Sequence, residues 1–273
     1  MPEIRILSDL HFGDRASQVT SLQQLRPLLE GVGHVVLNGD TLDTRPGPHP
    51  AHTAEARAMV SDFFPRHTPE ASFITGNHDP DFGVTHETEL AGGDIWITHG
   101  DVFFEEIVPW GNDAPLMRAR LEAELAGLAP EHRADLRSLF AAVRRVAFSI
   151  PQRHQSERNP WKHAWRYLGD SVWPPTRAAR ILRAWRDGPR LAASFASLHR
   201  PRARFLVCGH THRPGAFRQP DGRLVLNTGS FCRPLGGLAI DLEGGRLLVR
   251  PIVRRRGEFR AGASLADFAL AAG

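Results

Sequence analysis

Val35-Val36-Leu37-Asn38-Gly39-Asp40-Thr41-Leu42-Asp43 is the stretch that decides the fold. Its apolar, β-branched run leaves no room for an amphipathic face. It therefore reads as a fully buried parallel strand that stops at Gly39 and presents the carboxylate of Asp40. In open α/β sheets ligands collect outside the carboxyl ends of the strands, which makes Asp40 a candidate ligand rather than a surface charge. The same grammar recurs. Ile4-Arg5-Ile6-Leu7-Ser8 runs into Asp9-Leu10-His11, Ser72-Phe73-Ile74-Thr75 into Gly76-Asn77-His78-Asp79, and Asp94-Ile95-Trp96-Ile97-Thr98 into His99-Gly100-Asp101. Later, Arg204-Phe205-Leu206-Val207-Cys208 runs into Gly209-His210-Thr211-His212. One such end, for instance the Asp9/His11 pair, would be ordinary turn chemistry. Five ends of one chemical kind imply a shared point in space, with Asp40 at its centre.

Composition sets the class. With 41% hydrophobic and 23% charged residues among 273, the chain can build one sizeable core or a core with an inserted lobe, and it carries no signature of disorder. The first strand begins almost at once, without a basic segment and apolar run ahead of it, and no apolar run approaches a membrane span. A cytoplasmic location is the expectation. Cys208 and Cys232 lie in or beside strand-like runs and read as buried free thiols. The formal charge of +4 and the pI near 9.9 favour anionic partners such as phosphates or acidic lipid surfaces. Lys162 is the only lysine, so the basic excess is arginine, as much a coding bias as a function. Spread over this length it is mostly solvated surface, and nucleic acid is disfavoured as a partner.

Reading outward, Leu22, Leu25, Leu28 and Leu29 recur at helical spacing, and Gly31-Val32-Gly33 closes a βαβ unit into Val35. The proline-dense loop Thr44 to Pro50 follows, then a helix over residues 53–64. Residues 105–200 differ from the rest: they lack a clear strand and are dense in Arg, Ala and Leu. Leu136, Leu139, Phe140, Val143, Val146 and Ala147 form one helical face there, and a second helical stretch over 177–197 is expected to break at Gly188-Pro189. A loop of that length without structure is implausible in a compact domain, so it reads as a helical insertion. Placed directly after a ligand-bearing strand end, it is expected to cap the site and select the substrate without carrying the chemistry. After residue 204 two hairpin signals, Pro220-Asp221-Gly222 and Glu243-Gly244-Gly245, predict antiparallel strands. The resulting division is a core of residues 1–104 and 201–257, a helical cap over 105–200, and a C-terminal tail over 258–273 with at most one weak helix.

Carboxylate, amide oxygen and imidazole suit manganese, iron or zinc, and no cysteine cluster favours a structural zinc. Two ions about 3.5–4 Å apart need a bridging group, which a carboxylate from a central strand supplies with little conformational cost. Such a pair acidifies a water for attack at neutral pH and neutralises phosphate oxygens.

Taken in order, Asp9-Leu10-His11, Gly39-Asp40-Thr41-Leu42-Asp43, Gly76-Asn77-His78-Asp79, His99-Gly100-Asp101 and Gly209-His210-Thr211-His212 resemble the motifs of the calcineurin-like metallophosphoesterases. The resemblance covers residues 4–101 and 204–253. It implies a four-layer α/β/β/α sandwich with a dinuclear site and manganese as the first choice of metal. One ion would take Asp9, His11, Asp40 and His212, the other Asp40, Asn77, His99 and His210. His78 would bind phosphate and protonate the leaving group, with Asp43 orienting it. Asn227 and Ser230 match a structural turn. The place of the insertion is similar to the UDP-2,3-diacylglucosamine hydrolase branch and its paralogues, with one departure: that branch carries arginine where this chain has His78.

The expected function is hydrolysis of a phosphate ester or pyrophosphate bond in a small-molecule, nucleotide or lipid-linked substrate, with peripheral contact at the inner membrane if the substrate is lipid-linked. A nuclease, supported only by the arginine-rich helices, and a non-catalytic binding module, which would show eroded ligands, are the alternatives. Phe103, Phe104, Trp110, Trp161, Trp165, Trp173 and Trp185 supply an aromatic surface for an acyl chain or a base.

Overall fold

The computed structural model describes residues 2–133, 135–152 and 175–270. Two sheets carry the molecule. The first is ordered β11-β10-β9-β1-β2-β3 with β12 also on β10, and the second β4-β5-β6-β8-β7. In the first, β1 (Ile4–Leu7), β2 (His34–Asn38) and β3 (Glu70–Ile74) run parallel, Ile6 facing Val36 and Val36 facing Ser72. Antiparallel β9 (Leu238–Glu243) and β10 (Arg246–Arg255) extend it beyond β1. In the second, β5 (Ile95–Thr98), β6 (Phe205–Cys208) and β8 (Leu224–Asn227) are parallel. Antiparallel β4 (Glu87–Leu90) and β7 (Gly215–Arg218) edge it.

Strand periodicity builds the layers. Ile6, Val36, Ile95, Ile97, Val207 and Ile240 point between the sheets and form one buried cluster. Their neighbours Leu7, Val35 and Leu37 face outward onto α1 (Arg26–Leu29) and α2 (Pro50–His67), through Leu28, Phe63 and Phe64. Trp96, Leu206, Cys208 and Val225 face out on the other side, where α3 (Ala114–Ala126), α4 (Leu136–Phe148) and α5 (Pro175–His199) cover them. The architecture is thus the expected α/β/β/α sandwich. The described helices within 105–200, α3, α4 and α5, form its fourth layer. Buried Leu136, Phe140, Val143, Val146 and Ala147 are the face read from the sequence.

Three elements depart from expectation. Helix α5 runs unbroken through Gly188-Pro189. Proline at 189 cannot donate to the carbonyl of Trp185, and that carbonyl instead accepts a hydrogen bond from Arg213 Nη1 at 2.6 Å. Burial of Ala192, Ala193 and Ala196 holds the remainder of the helix on the sheet. The C-terminal segment is not helical: β11 (Glu258–Ala261) and β12 (Ala266–Ala269) pair antiparallel with β10, tertiary pairing overriding the alanine preference. Strand β4, which lacks an apolar run, was not legible as a strand. No described helix is long and apolar enough to cross a membrane.

Candidate metal centre

Asn38, the last residue of β2, joins the two sheets: its Nδ2 donates to Thr98 O of β5 at 3.0 Å, and its own carbonyl accepts from His99 Nδ1 at 3.0 Å. This pairing places the carboxyl ends of β1, β2 and β3 against those of β5 and β6. Around it the chain departs from ordinary backbone geometry. Asp9, His11, Asp40, His210 and His212 all have left-handed φ, between 47° and 66°. Each such non-glycine residue costs of order 1 kcal/mol, and such strain concentrates at functional sites. Gly39 (φ 78°) explains the strand-glycine-ligand grammar, because a Cβ there would fall 2.5 Å from His99 Nδ1.

Asp40 sits at the junction. Its Oδ1 accepts the His78 N–H at 2.8 Å, while Oδ2 lies 3.7 Å from His11 Nε2 and 3.4 Å from His99 Nε2. On one side, Asp9 Oδ1 stands 3.1 Å from His212 Nε2 and 3.9 Å from His11 Nε2, and the two imidazole nitrogens are 3.2 Å apart. On the other, Asp40, His99 and His210 bring ligand atoms within 4.8 Å of one another. His210 Nε2 is committed to Ile107 O at 2.7 Å, which leaves Nδ1 as its free donor atom. Asn77 Oδ1 and His99 Nε2 are buried without a hydrogen-bond partner. Unpaired buried polar atoms are costly, and both of these are atom types that can ligate a cation.

The electrostatics separate the histidines, with His11 and His210 lowered and His99 raised. Burial, with His78 and His212 alongside, lowers His11 to about 4 against the pull of Asp40, and burial beside His99 lowers His210 to about 3. Both rings are therefore neutral donors. Burial opposes the charged form of His99, but Asp40 and Asp9 outweigh it and hold His99 well above its ordinary value. Burial would raise Asp9 and Asp40; the histidines instead hold both carboxylates below the usual range.

His78 stands apart in its bonding. Its ring lies edge-on to His11 at 4.9 Å and can group with His11 and Asp40, but Nδ1 lies 2.9 Å from both Asp43 Oδ2 and Arg45 Nη2 and, when it carries the proton, donates to the carboxylate. Burial and Arg45 lower its pKa, Asp40 and Asp43 raise it, and the net is upward. Asp43 is held below the usual carboxylate range by His78 and Arg45 against burial. The open edge of the cluster is formed by His78 and His212, whose side chains are 23% and 36% exposed.

The structure thus brings Asp9, His11, Asp40, Asp43, His78, His99, His210 and His212 together, with Asn77 preceding His78 in the same loop, and Asn227 donates through Nδ2 to Gly209 O at 2.6 Å. Other participants were not assigned a role from the sequence. Asp79 accepts the N–H groups of Asp40, Thr41 and Gly76 at 2.9, 2.7 and 2.7 Å and so shapes the loop bearing the central carboxylate. Burial and Asp40 push it up to about 7 despite those bonds. Arg45 grips Asp43 through Nη2 at 2.6 Å and Nε at 3.0 Å.

The helical layer also touches the loops around the centre. Gln152 Nε2 donates to Asp43 O and Arg45 O at 2.8 and 2.7 Å, and Arg144 Nε donates to Pro80 O at 2.6 Å. The loops that carry Asp43 and His78 are therefore braced from α4 and its end. Phe103, Phe104 and Trp185 line a small cleft beside Gly209 and Thr211, while Trp161, Trp165 and Trp173 lie outside the described residues.

A sequence model of calcineurin-like phosphoesterases matches residues 3–214. No curated protein matches the chain. Among solved structures, Vps29 from Cryptosporidium parvum is similar at 15% identity over 97% of this chain and 97% of its own, with TM-score 0.42. Vps29 from Entamoeba histolytica complexed with zinc is similar at 11% over 96% and 99%, TM-score 0.42. A dimetal phosphatase from Danio rerio is similar at 13% over 96% and 99%, TM-score 0.40. With the family's pattern running over residues 3–214, the chain belongs to the calcineurin-like phosphoesterase family.

Proposed function

We propose that the protein is a dinuclear metal-dependent phosphohydrolase acting on a phosphate ester or pyrophosphate bond of a small-molecule, nucleotide or lipid-linked substrate. The observation that carries this reading is the position of Asp40 Oδ2 near both His11 and His99, with His99 Nε2 and, in the loop that carries His78, Asn77 Oδ1 buried without a hydrogen-bond partner. Asp9, His11, Asp40 and His212 would hold one divalent ion, and Asp40, Asn77, His99 and His210 the other. Bound there, the pair supplies Lewis acidity toward phosphate oxygens and an acidified water. His78 carries the leaving-group proton: Asp43 takes Nδ1–H, favours the imidazolium and leaves Nε2 to donate. Arg45 keeps Asp43 ionised and in place.

The described helices α3, α4 and α5, placed in the chain between β5 and β6, would bound a pocket rather than leave an open groove. That supports a small or lipid-linked substrate over nucleic acid, and it keeps the UDP-2,3-diacylglucosamine hydrolase branch as a candidate despite His78. A cytoplasmic enzyme, peripheral to the inner membrane for a lipid-linked substrate, fits the absence of a spanning helix among the described residues. The test is a substrate panel of chromogenic monoester, chromogenic diester, nucleotide pyrophosphate and UDP-sugar lipid. Chelated protein is assayed with manganese, zinc or ferrous iron restored. Hydrolysis that returns with the metal and vanishes in Asp40→Ala is expected; metal-independent or wholly absent turnover would refute the reading.

A further inference from the structure

His11, His212 and Cys232 bring one ligand atom each within 4.8 Å of one another. Cys232 belongs to none of the motif strand ends; it lies in the turn after β8. Its place is nevertheless set by the backbone that sets Asp9. Phe231 N–H donates to Asp9 O at 3.1 Å, Gln18 N–H to Phe231 O at 3.0 Å, and Ser17 bridges Cys232 in antiparallel register. Cys232 N–H is held by Ser230 Oγ at 3.1 Å, and the residue is 7% exposed. A buried sulfur is thus directed at the two histidines whose Nε2 atoms already face each other at 3.2 Å. Zinc–sulfur bonds of about 2.3 Å and zinc–nitrogen bonds of about 2.0–2.1 Å require ligand atoms roughly 3.5 Å apart. The observed 4.8 Å envelope accommodates that spacing.

We infer that Cys232 is a sulfur ligand of the cation site formed by Asp9, His11 and His212, and that it turns this site toward thiophilic divalent ions, such as zinc, ferrous iron or cobalt, over manganese. The inference rests on the metal centre proposed above. Thiolate is a soft donor that selects such ions, whereas carboxylate and carbonyl oxygens suit manganese. Binding breaks the S–H bond as the sulfur–metal bond forms; the proton passes to solvent and no oxidation state changes. Cys208, the second thiol, lies outside this group, with its sulfur 3.6 Å from Asn227 Nδ2.

Cobalt(II) titration of the chelated full-length protein tests this without reference to activity. Visible ligand-field absorption reports bound cobalt, and a near-ultraviolet sulfur-to-cobalt charge-transfer band reports the Co–S bond. The band should appear in the wild type, persist in Cys208→Ser and disappear in Cys232→Ser. Zinc affinity of Cys232→Ser should fall by about 10–100-fold, the range found when ligand support is lost, and manganese affinity by less. Bound cobalt without the band in the wild type would overturn the role of Cys232 and leave the dinuclear reading standing. Failure of the wild type to bind cobalt at all would overturn both. The wild-type spectrum decides the matter even if the serine variant does not fold.

Discussion

Asp43→Asn separates the proton chemistry from metal binding. In the structure Asp43 Oδ2 accepts from His78 Nδ1 at 2.9 Å and from Arg45 Nη2 at 2.6 Å, and Oδ1 accepts from Arg45 Nε at 3.0 Å. The amide keeps the shape and one acceptor but removes the charge. A hydrogen bond to a charged group contributes about 1.5–3 kcal/mol, which corresponds to about 1–2 pKa units on His78. Because the folded protein raises His78, its acid form is present below that raised pKa and is lost as pH rises through it. Lowering the pKa therefore moves the basic limb of kcat about 1–2 units toward acid, and above both limbs the rate falls about 10–100-fold. The same sign holds for stability: the share contributed by protonated His78 is fully present below its unfolded pKa and vanishes as pH rises through the folded one. Arg45, 7% exposed, loses its counter-charge, and the variant should unfold at lower temperature. The assay is kcat against pH on a series of aryl phosphates at saturating metal, with bound metal measured in parallel. The loss should shrink as the leaving group improves. An unmoved basic limb, or an equal loss across leaving groups with metal content intact, would refute the role given to the Asp43/His78 pair.

Asp40→Ala should abolish binding of both ions whereas His212→Ala weakens chiefly one; full dinuclear occupancy in the Asp40 variant, measured by metal analysis, would contradict its bridging position. Gln152→Ala removes two hydrogen bonds, each worth about 1 kcal/mol, from the carbonyls of Asp43 and Arg45 and should lower kcat on a small chromogenic ester about tenfold. An unchanged rate would mean that the helical layer bears on substrate choice alone. Asp241→Ala leaves the buried Arg5 guanidinium without the carboxylate it grips at 2.6 Å through both Nε and Nη2, a loss of about 3–5 kcal/mol read in denaturant unfolding. A cost below about 1 kcal/mol would show that Arg5 finds water or another partner.

Much of this protein could be read along the chain. Parallel strands buried on both faces must be near-continuous apolar runs, and a run that stops at glycine and a polar residue marks its carboxyl end. Asp9, His11, Asp40, Asn77, His99, His210 and His212 were legible for that local reason, as was the apolar face of α4. What joins them was not legible. Asn38 linking β2 to Thr98 and His99, Asp79 joining its own loop to Asp40 and Thr41, and Gln152 reaching Asp43 are contacts between segments far apart in sequence, which no local pattern specifies. The same limit explains the errors. Proline at 189 should end a helix, yet Arg213 takes the carbonyl it frees; the alanine-rich C-terminus should favour helix, yet β10 offers it an edge. Cys232 is the buried free thiol that the sequence suggests, but its nearness to His11 and His212 exists only after the turn beyond β8 folds back over β1. Local pattern determined which residues lie at strand ends, because burial and backbone conformation act over a few neighbours. Tertiary structure decided which of those ends meet and what braces them, because hydrogen bonds and charge depend on distance in space rather than along the chain.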